Sequence, residues 1–445
     1  MDKPARKPNV IWIVSDQHRA QALSCMGDPN VNTPHIDLMA AYGICSTGAV
    51  AGTPLCCPFR GSMLTGRYPH QCVPGHEYQM PPEQPTVAHA FRQAGYHTAY
   101  FGKWHVDGFH ERDGRAAMHI VPPQRRGGFD TWYGYENNNS QWDSWVHGGE
   151  NGATASHKLE GYETDALTEM LLDYIGGRKR PEVIDQPFFA VLSVQPPHDP
   201  YTAPPEYMAR HNPATLKLRP NVPDIPAIQQ RARRELAGAY AMIENLDWNI
   251  GRIRQSLRGL GLEESTFILF FSDHGDMHGS HGQLRKTSPW EEAIRIPFIM
   301  TGPVSLYGHG SGFQNLLINH VDIAPTSLGL CGIAKPSHMA GTDYSPAWHR
   351  KPIPNEPDSA FLQLCVSTGH AYAIDRPWRG IVTRDGWKYI VLEGQPMMMH
   401  NLNEDPYEQV NLAFNTAHKG QRKRLQDRLG QWIADTGDQF QLPQI

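Results

Sequence analysis

Four stretches of the chain are apolar almost without interruption: residues 10–14, 97–101, 188–194 and 267–271. Continuous rather than alternating apolar character predicts strands buried on both faces, as in a mostly parallel sheet covered by helices. Between them, apolar residues recur at helical spacing over residues 33–42, 87–94, 164–175 and 231–257. Strand and helix therefore alternate, and the expected fold class is α/β with a doubly wound layout. Beyond residue 352 the texture changes. The segment RGIVTRDGWKYIVLEG predicts two short strands around an Arg384-Asp385-Gly386 turn, and residues 419–436 a closing helix. We expect a main domain over residues 1–352 and a smaller C-terminal α+β subdomain over residues 353–445.

Composition narrows the function classes. With 445 residues and 40% hydrophobic content, the chain can bury a sizeable core. A net charge of −5 without long runs of one sign argues against a nucleic-acid partner. Arginines 231, 233 and 234 fit a solvated helix face. No stretch approaches transmembrane length, so no membrane partner is expected. The apolar run at residues 10–14 is too short for a signal sequence, which places the chain as written in the cytoplasm, or in the periplasm or outside if a leader was removed. Seven dispersed cysteines without CxxC spacing argue against a zinc site and a disulfide scaffold. The adjacent Cys56 and Cys57 are the anomaly. Oligomeric state is not inferred.

In a parallel sheet the carboxyl ends of all strands share one edge, where ligands bind. The first strand ends in Ser15-Asp16-Gln17-His18 and the fourth in Ser272-Asp273-His274. Asp16 and Asp273, with Gln17 and His274 beside them, form a candidate cation site, since two bare carboxylates would repel. Helix N-capping is the competing use of an aspartate after a strand. The second strand runs into Lys103-Trp104-His105 and the third into Gln195-Pro196-Pro197-His198-Asp199. Lysine and two histidines at that edge suit an anion undergoing proton transfer.

Cys56-Cys57-Pro58-Phe59-Arg60 reaches the same chemistry differently. Pro58 suits the first turn of a helix, which puts Cys56 at an N-terminus that favours an anion. Arg60, one turn on, is expected to turn its planar fork toward that anion. A cysteine phosphatase loop needs a longer gap than the three residues between Cys56 and Arg60.

At this point the chain resembles the type I, formylglycine-dependent sulfatases of the alkaline phosphatase superfamily, whose maturation motif is Cys-x-Pro-x-Arg followed by Thr-Gly-Arg. Here the motif stands as Cys56-Cys57-Pro58-Phe59-Arg60 and Thr65-Gly66-Arg67, with Phe59 where a small residue is usual. The resemblance continues through GKWH (102–105), RGGFDTWYG (126–134), PPHDP (196–200), SDHGDMHGSHG (272–282), LRKTSPWEEAIRIPF (284–298), VDIAPTSLGLCGI (321–333) and LNEDPYEQVNL (402–412). It implies an alkaline-phosphatase-like, mostly parallel sheet sandwiched by helices. It also implies that Cys56 is oxidised to formylglycine by a maturation enzyme, a transient partner. Asp16, Asp273, His274 and the matured Cys56 would be metal ligands, with Gln17 where many members have a second aspartate. Calcium is the family default, and the donor set would also suit manganese or magnesium.

By the same resemblance, one hydroxyl of the aldehyde hydrate attacks sulfur, and His105 takes the proton of the other so that sulfate is eliminated. Lys286, with His198, would bind the bridging oxygen and protonate the departing alcohol. Lys103 and Arg60 would stabilise developing negative charge and orient the hydrate. The substrate is expected to be a sulfated small molecule or glycan, held by His76, Glu77, Tyr78 and residues 137–147, where Trp142 and Trp145 would stack on an aryl group or a sugar ring. Gln17 and His274 are also similar to choline sulfatases and phosphonate monoester hydrolases, so a phosphonate or phosphodiester hydrolase using the same machinery is the alternative. A non-catalytic module binding sulfated ligands through an unconverted Cys56 is a further one.

Overall fold

The computed structural model describes residues 7–178, 185–303, 312–369 and 374–444. The four apolar runs become β1 (Asn9–Ser15), β3 (His97–Lys103), β7 (Phe188–Ser193) and β8 (Thr266–Ser272). Further short strands are β2 (Ile44–Ser46), β4 (Thr131–Tyr135), β5 (Trp145–Glu150), β6 (Ser156–Lys158), β9 (Phe298–Thr301) and β10 (Gly312–Gln314). They form one sheet in the order β10-β2-β9-β8-β1-β7-β3-β4-β5-β6. The centre, β8-β1-β7-β3-β4, is parallel, whereas β9, β5 and β6 run antiparallel to their neighbours.

Both faces of β1 are dry. Val10, Trp12 and Val14 enter one core, and Ile11 and Ile13 the other. Full burial of such side chains is worth about 1.5–3 kcal/mol each, more than the roughly 1 kcal/mol span of strand propensity, so burial decides these strands. The first core packs against helices α2 (Cys56–Thr65), α3 (Val87–Gln93) and α6 (Ile323–Leu330). The second packs against α1 (Pro34–Tyr42), α4 (Glu163–Ile175) and α5 (Pro226–Gly259). The last helix starts five residues before the expected 231, at a proline suited to the first turn.

The C-terminal region forms its own antiparallel sheet, β11 (Ser359–Leu364), β12 (Trp378–Thr383), β13 (Trp387–Leu392) and β14 (Gln395–Asn401). Two of these strands flank the expected turn, and two more extend the sheet outward. One face packs on α7 (Lys419–Thr436) through Leu425 and Leu429. The other packs on Val50, Leu55, Ile294 and Leu317, so it buttresses the residue preceding Cys56. No helix among the described residues is long and apolar enough to cross a membrane.

Candidate active site

Neighbouring strands β8, β1, β7 and β3 deliver Asp273, Asp16, His198 and Lys103 to one sheet edge. Close approach there needs glycine at 102: its φ is +108°, and a Cβ would lie 2.0 Å from the Ser193 carbonyl oxygen. The helix α2 closes over this edge with Cys56 as its first residue and a left-handed Gly66 ending it. All ten of its residues are buried.

The Cys56 Sγ lies 3.1 Å from His274 Nε2, 3.2 Å from Lys286 Nζ and 3.8 Å from Asp16 Oδ1. One ligand atom from each of Asp16, Cys56, Asp273 and His274 falls within 4.8 Å of the others. Two observations fit this group to a divalent cation. His274 Nδ1 is 2.9 Å from the Gly275 carbonyl, which accepts its proton and leaves the Nε2 lone pair facing the cluster. Gln17, held at φ +64°, donates its amide to Asp276 Oδ2 at 2.6 Å, while its Oε1 is buried with no hydrogen-bond partner.

Arg60 corrects one expectation. Its fork is not turned toward a ligand anion at Cys56 but is taken up by the protein's own carboxylates: Nε donates to Asp273 Oδ2 and Nη2 to Asp16 Oδ2, both at 3.1 Å. Nη1 donates to the Lys103 carbonyl at 2.9 Å and to Ser193 Oγ at 2.8 Å. Arg60 is thus a positioning residue that holds the two carboxylates. Lys103 pairs with Asp16 Oδ2 at 2.7 Å. Burial opposes the charge on Asp16, but Lys103, Arg60 and Lys286 together hold its carboxyl well below the usual range.

On the far side, Lys286 Nζ is 3.0 Å from His198 Nε2, and His198 Nδ1 is 2.7 Å from the Asp199 carbonyl. Burial and then Lys286 push the imidazole of His198 down to about 3. Burial also opposes the charge on Lys286, yet Cys56, Asp16 and Asp273 outweigh it and raise its pKa. Lys286 is therefore the protonated partner, and His198 accepts its hydrogen bond. His105, at φ +56°, is pushed well below its ordinary value by burial and then by Lys103, so it is a neutral imidazole.

The expected substrate residues divide. His76 lies edge to face against His105, with ring centroids 5.5 Å apart. Glu77 pairs with His110 Nδ1 at 2.7 Å and accepts from the Glu111 backbone N–H at 2.8 Å. Next to Glu111 opens a cleft of about 330 Å³ lined by Arg115, Asn137, Asn138, Asn139, Ser140 and Asp143. Its wall is tied to the sheet edge that carries His198, because Asn139 accepts from Gln195 at 3.3 Å and neighbouring Gln141 donates to the His198 carbonyl at 2.9 Å. Trp142 packs on Tyr162, and Trp145 donates to Asp143; neither lines the cleft. Tyr78 is exposed. Sequence reasoning missed Arg115 and Glu111, which sit outside any motif, and Ser193, whose only signal was its place at the end of β7.

Comparison with known proteins places this arrangement. The Sulfatase family profile matches residues 8–333, and the profile described as N-sulphoglucosamine sulphohydrolase, C-terminal, matches residues 279–435. The ulvan-active sulfatase of Formosa agariphila is 35% identical over 99% of this chain and 83% of its own length. The N-acetylglucosamine-6-O-sulfatase of Bacteroides thetaiotaomicron is 24% identical over 95% of this chain and 86% of its own. Among solved structures, a Bacteroides fragilis chain bearing the sulfatase name yidJ superposes with a TM-score of 0.87 at 26% identity, covering 99% of this chain and 98% of that one. With a profile spanning most of its length and a relative above 30% identity from end to end, this chain belongs to the sulfatase family, the sulfuric ester hydrolases of the alkaline phosphatase superfamily.

Proposed function

We propose that this sulfatase cleaves a sulfate ester of a carbohydrate, with formylglycine made from Cys56 as nucleophile and one divalent cation, calcium in first place. The observation that carries the reading is the convergence of Asp16, Asp273, His274 and Lys286 on the side chain of residue 56. The polar lining of the cleft, rich in amide donors and acceptors, suits a hydroxylated ring better than an aryl group. The names of the ulvan-active and N-acetylglucosamine relatives point the same way.

Asp16, Gln17, Asp273, His274 and residue 56 would hold the cation, which would supply Lewis-acid chemistry, and formylglycine at position 56 would, once hydrated, supply a hydroxyl nucleophile. The protein does the rest. Arg60 fixes Asp16 and Asp273, while Lys103 and Lys286 bring positive charge to the sulfate oxygens. Lys286 carries the proton for the departing alcohol, and His198 aims it through the 3.0 Å hydrogen bond. The neutral imidazole of His105 accepts the proton whose removal expels sulfate. Burial of these groups excludes competing water. Because Cys56, Pro58 and Arg60 are themselves buried, a formylglycine-generating enzyme must meet the motif before the chain folds.

The test is hydrolysis of sulfated oligosaccharides, and of matched aryl sulfate and aryl phosphonate esters, by protein co-produced with a maturation enzyme, with Cys56→Ala as blank. Sulfate release from saccharides above the blank is expected. Turnover confined to the phosphonate would make the chain a phosphohydrolase, and turnover confined to the aryl sulfate would remove the carbohydrate assignment.

A further inference from the structure

The catalytic reading leaves Cys57 without a task. It is 1% exposed, and successive residues of a helix point about 100° apart, so it does not share the environment of Cys56. Its Sγ lies 3.7 Å from His76 Nδ1, and His76 stands against His105. One ligand atom from each of Cys57, His76 and His105 lies within 4.8 Å of the other two. His105 Nδ1 is buried with no hydrogen-bond partner, although the residue is only 3% exposed. An orphaned ring nitrogen next to a thiol and a second imidazole is a set of soft donors looking for an acceptor. Zinc, cobalt and copper take thiolate and imidazole ligands, whereas calcium and magnesium take oxygen.

We propose that Cys57, His76 and His105 form a second metal site, selective for zinc-class ions, and that an ion bound there stops turnover by capturing the imidazole of His105. The two clusters then sort ions by softness. The Asp16 cluster offers two carboxylates, and the Cys57 cluster offers none. As the sulfur–metal bond forms, the thiol proton leaves to solvent. Tetrahedral zinc with Zn–S of about 2.3 Å and Zn–N of about 2.0 Å sets ligand atoms about 3.3–3.5 Å apart, so the 3.7 Å between Cys57 Sγ and His76 Nδ1 already approaches that spacing, and no pair of the cluster has to close by more than about 1.5 Å. His76, with 24% of its side chain exposed, has the room to move. The inhibitory effect, but not the binding, rests on the role given to His105 under the proposed function.

The experiment uses the matured, calcium-loaded enzyme and its Cys57→Ser variant, with Zn²⁺ and Co²⁺ as probes. Zn²⁺ is expected to lower kcat at least tenfold, reversibly with chelator and calcium replacement. Cys57→Ser keeps basal turnover and requires at least tenfold more Zn²⁺ for the same loss. In Cys56→Ala protein, Cys57 is the one thiol among the described residues in a group with metal-ligand spacing. There, Co²⁺ should give a thiolate-to-cobalt charge-transfer band that disappears in the Cys56→Ala/Cys57→Ser double variant. Equal Zn²⁺ sensitivity with and without Cys57, together with no Cys57-dependent band, overturns the proposal. A Cys57-dependent band without any loss of turnover would uphold the site and instead strike His105 from the proton-transfer role.

Discussion

Arg60 makes a quantitative test of how this site is held together. Its guanidinium is fully buried and joins Asp16 and Asp273, which are also fully buried. Arg60→Ala deletes both charge-assisted hydrogen bonds and those to Ser193 Oγ and the Lys103 carbonyl. Removing one partner of a buried ion pair costs about 3–5 kcal/mol, because the other charge stays buried without compensation. Here two carboxylates are left facing one another, with Lys103 still paired to only one of them. A divalent cation restores part of the missing charge, and at a hundredfold excess over Kd it stabilises the native state by about 2.7 kcal/mol. In EDTA, Arg60→Ala should lower the unfolding free energy by about 3–5 kcal/mol relative to wild type. In saturating calcium the gap should narrow, so that the metal-induced gain is larger in the variant. Arg60→Lys keeps the charge without the fork and should fall between the two. Urea unfolding followed by tryptophan fluorescence, with EDTA or calcium, reads all three proteins. A loss below about 1 kcal/mol in EDTA, or a gap unchanged by calcium, would refute the reasoning that Arg60 neutralises the ligand carboxylates.

Two further outcomes are expected. Cys56→Ala should abolish turnover while Cys57→Ala keeps most of it, since only Cys56 has the spacing to Pro58 and Arg60 and the contacts to His274 and Lys286; equal losses in a steady-state assay would remove Cys56 as nucleophile precursor. Asp322, at the start of α6, is pushed up to about 7 by burial, against hydrogen bonds from the Asn319 and Thr342 backbone N–H groups. A folded pKa above the ordinary 3.8 means that its contribution is complete below that value and is lost as pH rises through about 7. The stability of wild type relative to Asp322→Asn should therefore decline from pH 5 to pH 8 in thermal unfolding, and a flat difference would contradict it.

What the sequence determined by itself is what depends on local pattern. The runs around Val10, Phe101, Phe189 and Phe267 announce strands because both of their faces are dry, which leaves no polar alternation to blur them. Once those strands are parallel, Asp16, Lys103, His198 and Asp273 must reach one edge, so most of the site could be named without coordinates. The Cys56 motif is a single helical turn and is legible for the same reason. Tertiary structure alone decided where the long side chains go. Arg60 finds carboxylate partners 44 and 213 residues away, where the sequence suggested a bound anion at the start of its own helix instead. The amide of Gln17 is anchored by Asp276, 259 residues on. The short strands β2, β4 to β6, β9 and β10, and the outer strands β11 and β14, take their form from neighbours across the sheets. The cleft of Arg115 is built from irregular segments, and His76 and His105 reach Cys57 on α2 from loops, whose paths no periodicity encodes. Backbone pattern is a property of neighbours along the chain, whereas side-chain partnership depends on which distant segments packing brings within a few ångströms.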